Sequence, residues 1–370
     1  MLSVLPAKPL AMPVLPGFQW MLVLLCSIGV LAEYCDNGTG ECKELTGTDC
    51  PVIFYNQHLI GDNVKFCDEF NDIVCCPLPL DHQNLKPVEE ARPFEKQCKQ
   101  YNEAREACRS TPFIVGGTKA SGREFPFMAL IGTKRVNKSN VSWDCGGSLV
   151  HPKFVLTAAH CLETDEEKAQ RLDPNFDSPK FVVRLGELDY DVTTDDAKVQ
   201  DFRVVNYVVH PGYDDDSEER GSKNDIAVVE LDREAVFTDY VAAVCLPPSS
   251  GNENQQVTAA GWGFTEDGVK STHLLKVTLQ RFSDDECQKR LRFGIETRTQ
   301  FCAGSMTSEK DTCNGDSGGP IFVQHPLYPC LKQLLGIVSY GLVCGSQGVP
   351  SVYTKVHLFT DWIESIVWGN

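Results

Sequence analysis

The chain has 370 residues, with 51 acidic and 34 basic side chains, a formal charge of -17 and 17 cysteines. This length exceeds one average domain and allows at least one sizeable core. An acidic balance without Lys/Arg clusters excludes the basic face that phosphates require, so no nucleic-acid partner is expected.

The apolar run Trp20 to Ala32 (WMLVLLCSIGVLA) is too short to span a bilayer comfortably, and Val30-Leu31-Ala32 ends on a small residue. Residues 1–32 are therefore expected to be a signal peptide and the mature protein secreted and extracellular, with no membrane partner; an uncleaved anchor is the rival reading. Lys8 is the only basic residue ahead of this run, which leaves Met12 as an alternative start. Cys26 lies within the signal, so 16 cysteines remain, an even number that suits disulfides made in an oxidising compartment.

Residues 35–76 hold six of them, Cys35, Cys42, Cys50, Cys67, Cys75 and Cys76. A module of this size needs bridges in place of a hydrophobic core, and spacing alone does not give their connectivity. Residues 77–113 carry Pro77, Pro79, Pro87, Pro93 and many charges, then a helix-compatible piece around Glu95 to Cys108, and read as a linker. From Ile114 to Asn370, short β-rich runs such as Phe181 to Leu185, Phe202 to Val209 and Leu335 to Tyr340 alternate with polar or Gly/Pro turns, the pattern of an all-β barrel or sandwich. The end differs: Phe359, Trp362, Ile363, Ile366 and Val367 form one apolar stripe at helical spacing, which predicts a terminal helix docked on the β-structure.

Three motifs in this last domain carry chemistry. A serine attacks a peptide carbonyl only if a base takes its proton, a carboxylate holds that base and donors meet the oxyanion. Thr157-Ala158-Ala159-His160-Cys161 offers a base, Asn224-Asp225-Ile226-Ala227 an acid before an apolar strand, and Gly315-Asp316-Ser317-Gly318-Gly319-Pro320 a nucleophile. A lone His beside a Cys is usually a core residue, and a lone Asp before a strand is usually a cap or turn. The three together, in the order His, Asp, Ser, resemble the chymotrypsin-type serine proteases over all of residues 114–370. The resemblance implies two six-stranded antiparallel β-barrels with a C-terminal helix. It makes His160 the general base, Asp225 its orienting acid, Ser317 the nucleophile, and the backbone N–H groups of Gly315 and Ser317 the oxyanion hole.

Ile114-Val115-Gly116-Gly117 resembles the start of the mature family enzymes, where a cut frees an amine that pairs with the acid before the catalytic serine, here Asp316. The residue before the cut is Phe113 rather than the usual Arg or Lys. Asp311, six residues before Ser317, matches the pocket-floor position that selects Arg or Lys. The chain is therefore not expected to activate itself, and its upstream activator should cut after large apolar residues. Ser339, Tyr340 and Gly341 match the segment that pairs with substrate backbone, with Tyr340 lining an apolar subsite. Ser351 occupies a pocket-wall position that is usually glycine, which narrows the pocket.

The resemblance further implies the bridges Cys145 to Cys161, Cys287 to Cys302 and Cys313 to Cys344. Cys98, Cys108, Cys245 and Cys330 remain for two linker-to-protease bridges, with a linker cysteine on Cys245 and the assignment left open. The six-cysteine module resembles the clip domain of arthropod proteases, implying Cys35 to Cys75, Cys42 to Cys67 and Cys50 to Cys76. The whole chain resembles an insect clip-domain protease of the snake-like type. That implies a zymogen in an extracellular cascade of immunity, melanisation or patterning, a downstream secreted zymogen as substrate and a serpin as inhibitor. The rival is a noncatalytic homologue acting as a cascade cofactor. Asn37, Asn137 and Asn140 begin glycosylation sequons. The acidic run Glu187 to Asp201 overlaps a family calcium loop, but no full ligand set can be placed. It reads as a solvated loop, so no cofactor is expected and calcium alone is left open.

Overall fold

The computed structural model describes residues 91–104, 118–134, 140–163, 180–215, 222–249, 256–265, 268–291, 295–305, 315–341 and 349–369, with four strand segments between residues 34 and 77. The chain divides into two units, Met1–Glu89 and Glu90–Asn370. In the first, β1 (Tyr34–Cys35), β2 (Gly40–Glu44), β3 (Phe66–Asp68) and β4 (Ile73–Pro77) form an antiparallel sheet in the order β1-β2-β4-β3. The register sets Cys42 of β2 opposite Cys75 of β4. The side chains of the six cysteines, and so their expected pairings, lie outside the described residues.

The second unit opens with helix α1 (Pro93–Glu103), which starts at a proline in its first turn and falls within the expected linker. Next, β5 (Thr118–Lys119) precedes a closed barrel of β6 (Met128–Lys134), β7 (Ser142–His151), β8 (Phe154–Thr157), β9 (Lys180–Leu185), β10 (Gln200–Val209) and β11 (Ala227–Leu231). Its strand order is β10-β11-β8-β7-β6-β9, closed by β9 on β10. In β9 the side chains of Phe181, Val183 and Leu185 are buried and alternate with outward neighbours, the period-two signature legible in the sequence.

A second ring follows: β12 (Gln256–Gly261), β13 (Leu275–Arg281), β14 (Gln300–Gly304), β15 (Pro320–Gln324), β16 (Lys332–Tyr340) and β17 (Ser351–Lys355). The order β12-β15-β16-β17-β14-β13 closes through β12 on β13, and β5 adds to the outside of β13. These are the two six-stranded antiparallel barrels expected. Between β13 and β14 runs α2 (Asp284–Arg290), capped by Ser283, whose hydroxyl accepts from the Glu286 N–H at 3.3 Å.

The barrels share a core. Phe127, just before β6, meets Phe322 of β15 edge to face at 5.1 Å, and Phe125 meets the same ring at 5.0 Å. Such aromatic pairs add to the burial that makes this seam costly to open. The chain ends in α3 (Thr360–Val367), which buries Ile363 and Val367 in the same core, with Phe359 of the preceding turn. His210 lies 5.0 Å from the rings of both Phe359 and Trp362, edge to face. No helix among the described residues is long and apolar enough to cross a membrane.

Candidate active site

His160 lies on a short 3-10 turn, Ala159–Cys161, that follows β8 directly. A disulfide from Cys161 to Cys145 pins this turn to β7. The His160 backbone N–H donates to Asp225 Oδ1 at 3.0 Å, and Nδ1 lies 2.8 Å from Asp225 Oδ2. Two contacts between one pair of residues fix the orientation of the ring as well as its distance. With Nδ1–H donating to the carboxylate, Nε2 carries the lone pair of the neutral ring.

Asp225 precedes β11, in a turn where Asn224 takes a left-handed φ of 48° and donates from Nδ2 to the Gly212 carbonyl at 2.7 Å. Asparagine tolerates that conformation better than most residues. The Asp225 side chain is 0% exposed and that of His160 29%. A buried carboxylate survives only when its lone pairs are met, and Ser339 Oγ donates a further bond to Oδ2 at 2.5 Å. Thr354 Oγ1 anchors the Asp225 backbone carbonyl at 2.9 Å.

The pair perturbs its own titration. Burial opposes a charged His160, but the charge and hydrogen bond of Asp225, aided by Asp215, outweigh it and raise the imidazole pKa above its ordinary value. Burial likewise pushes the Asp225 carboxyl up, yet His160, the Ser339 hydroxyl and the His160 N–H together hold it below the usual carboxylate range.

Ser317 lies in the turn that enters β15. Gly315 and Gly318 take φ of +91° and +75°, which only glycine adopts readily. The turn is seated against the first barrel: Gly146 N–H, next to Cys145 on β7, donates to the Ser317 carbonyl at 2.8 Å. A Cβ on Gly318 would run into Thr157 Oγ1 and the Gly146 carbonyl and lie 3.1 Å from the Ala158 nitrogen. The residue after Ser317 is thus packed on the strand end that leads, within three residues, to His160. Two barrels contribute, and their seam brings the nucleophile motif to the base motif. On the other side Asp316 Oδ1 accepts from the Gly263 N–H at 2.8 Å, and neither Gly261 nor Gly263 has room for a Cβ beside that carboxylate.

Ser339, Tyr340 and Gly341 follow in line at the end of β16, and Ser351 opens β17 across from them. A Cβ on Gly341 would lie 2.8 Å from Ser351 Oγ, so the Ser351 hydroxyl faces Gly341 with no space for a second side chain. The Tyr340 hydroxyl lies 3.5 Å from Gln300 Oε1, and Gln300 Nε2 donates to the Ser222 carbonyl at 2.7 Å. Phe113, Ile114, Asp311, Cys108, Cys313, Cys344, Asn37 and Asn137 lie outside the described residues. Asn140 is exposed. Cys287 joins Cys302, and Cys98 of α1 joins Cys245, which resolves one of the two open linker pairings. Cys330 is also disulfide-bonded.

The contacts that seat this site went unread in the sequence, those of Gly146, Thr157, Thr354 and of Gly261 and Gly263 beside Asp316. The signal that could have found Gly146 is the Gly146-Gly147 pair beside Cys145, since glycines permit close backbone approach. In the acidic loop, Glu187 accepts from the Leu188 N–H at 2.8 Å and pairs with Arg184 at 3.2 Å. Arg184 also grips Asp201 at 2.7 Å, while Asp196 binds Arg123 and the Tyr240 hydroxyl. These carboxylates are turned to internal cations and amides, and among the described residues they do not converge on a common point.

The trypsin family model matches residues 114–363. Serine protease snk of Drosophila melanogaster is 32% identical over 90% of this chain and 77% of its own length. CLIP domain-containing serine protease B10 of Anopheles gambiae is 34% identical over 93% and 97%, and phenoloxidase-activating enzyme 1 of Spodoptera litura 37% over 69% and 67%. With two closed barrels, a His–Asp pair on a buried carboxylate and a glycine-framed serine turn at their seam, these matches establish that the chain belongs to the trypsin family, in its insect clip-domain branch with the snake-like proteases.

Proposed function

We propose that the chain is the secreted zymogen of a trypsin-like serine endopeptidase, cut between Phe113 and Ile114 to become active. The observation that carries this reading is the His160–Asp225 pair, held at 2.8 Å beside the turn of Ser317. In the proposed mechanism His160 Nε2 takes the Ser317 Oγ proton as that oxygen attacks the substrate carbonyl. Asp225 keeps the proton on Nδ1 and stabilises the imidazolium, and the N–H groups of Gly315 and Ser317 receive the oxyanion. The imidazolium then protonates the leaving amine. Water, deprotonated by His160, releases the acyl group and returns Ser317 to its hydroxyl form.

Activation follows from charge. The new ammonium of Ile114 pairs with Asp316, a carboxylate already accommodated by Gly261 and Gly263. That ion pair orders the neighbouring oxyanion donors, and either charge alone would be costly to bury. A pocket with Asp311 at its floor takes Arg or Lys, narrowed by Ser351. Phe113 offers it nothing, so activation needs a protease of apolar preference. The names of the relatives, including melanization protease 1 of Drosophila melanogaster, support a place in a protease cascade; a secreted zymogen downstream and a serpin as inhibitor complete the proposal. The rival reading, a noncatalytic cofactor, needs a lost triad member, yet His160, Asp225 and Ser317 all stand in the sequence.

Active material sequenced from its amino terminus should read Ile-Val-Gly-Gly and cleave a fluorogenic Arg substrate faster than a Phe one. A start at Ser110 would overturn the activation scheme, and faster Phe cleavage would overturn the Asp311 assignment.

A further inference from the structure

Helix α1 carries Phe94, Cys98 and Tyr101 on one face, at i, i+4 and i+7, and all three are buried. Phe94 joins the main core, while Cys98 and Tyr101 pack with Ala243, Cys245 and Leu331. The Tyr101 ring meets Phe237 edge to face at 5.4 Å, and its hydroxyl donates to the Val150 carbonyl at 3.2 Å. One residue before the helix, Arg92 reaches the far end of the chain. Its Nη2 lies 2.6 Å and its Nε 3.1 Å from Glu364 Oε2 on α3. Its fork also holds Asp361, and Nη1 donates to Thr360 Oγ1 at 3.3 Å. The Phe94 N–H donates to the other Glu364 oxygen at 3.3 Å. The Glu364 side chain is only 10% exposed, so these donors meet a carboxylate largely withdrawn from water.

A disulfide alone would fasten the segment at one point and require none of this. We propose that residues 91–104 are a structural subunit of the protease body, bound by the Arg92–Glu364 clamp and the Phe94/Tyr101 face independently of Cys98–Cys245. On this assignment α3 is held from outside by α1 as well as from inside by Ile363 and Val367. The amino-terminal part stays bound as a separate polypeptide after cleavage, a consequence that rests on the proposed cut, whereas the clamp itself does not. The partner surface is the acidic end of α3 with the apolar patch of Ala243, Leu331 and Phe237, and its occupant is this chain's own basic-headed helix.

The uncut chain tests the clamp with every disulfide intact. Hydrogen exchange of Arg92→Ala should be about tenfold faster or more in both residues 93–103 and 360–367, because Glu364 is left buried without its cation. Wild-type exchange rates in residues 360–367 of that variant would overturn the proposal. A second arm removes the tethers by Cys98→Ser, Cys108→Ser, Cys245→Ser and Cys330→Ser and cuts the chain within residues 105–117. The two fragments should co-elute in gel filtration and separate once Arg92→Ala is added. Separation without Arg92→Ala would overturn it. If cutting at Phe113 fails, an inserted protease site serves, so a wrong activation site and a wrong clamp give different results.

Discussion

At His160 two effects oppose each other, and their balance sets the working pH. Burial disfavours the imidazolium, and Asp225 at 2.8 Å favours it more, so the pKa is raised. A general base must be neutral, so activity is lost as pH falls through this raised value. The acid limb of kcat/KM should therefore be a single ionisation centred above the ordinary histidine value of about 6.5. Linkage gives the same group a stabilising role below its unfolded pKa, lost as pH rises through the folded one. Asp225→Asn removes the stabilising charge and keeps the burial. It should lower kcat by roughly 10⁴-fold through the wrong tautomer and move any residual acid limb downward. A pH profile of both forms checks this, and an unmoved limb would mean that Asp225 does not set the His160 pKa. The three motifs of the proposed triad stood out in the sequence because each lies in a short, distinctive run. Ser339 as a donor to Asp225 did not, since the two are 114 residues apart and only the fold joins them.

Among the elements, the turns at Gly318 and Gly268 separate strain from contact. Both have φ near +70°, but a Cβ on Gly268 meets nothing within 4 Å, whereas one on Gly318 collides with the first barrel. Gly268→Ala should cost about 1 kcal/mol of left-handed strain and leave activity intact. Gly318→Ala should cost more, on the order of 2–4 kcal/mol, and abolish activity by lifting Ser317 off Gly146. Denaturant midpoints with peptide hydrolysis read both quantities, and equal losses would mean that the seam does not seat the nucleophile. Strand runs such as Phe181–Leu185 and the terminal apolar stripe were readable because burial imprints a local period. The docking of α1 was not. Its face pairs with residues 49 and more positions away, and spacing could not choose between Cys98 and Cys108 for Cys245. The fold selects Cys98, which shares a face with Phe94 and Tyr101.

Across the whole molecule, the proposed catalysis depends on a seam rather than on a single barrel. His160 and Asp225 belong to the first barrel and Ser317 to the second, with Gly146 bridging them. The all-β class and the terminal helix were legible as patterns, and the two barrels came from resemblance. Strand order was not legible, because pairings such as β9 on β6 and on β10 depend on contacts far apart in the chain. On the proposed activation, Ser317 is a nucleophile conditional on a distant cut. The most direct test labels the intact and the cleaved protein with an aryl phosphonate and locates the adduct by mass spectrometry. We expect one adduct, on Ser317, in the protein cut at Phe113–Ile114 and almost none in the uncut chain. A cleaved protein with an ordered His160–Asp225 pair that takes up no label, or equal labelling before and after the cut, would contradict the account.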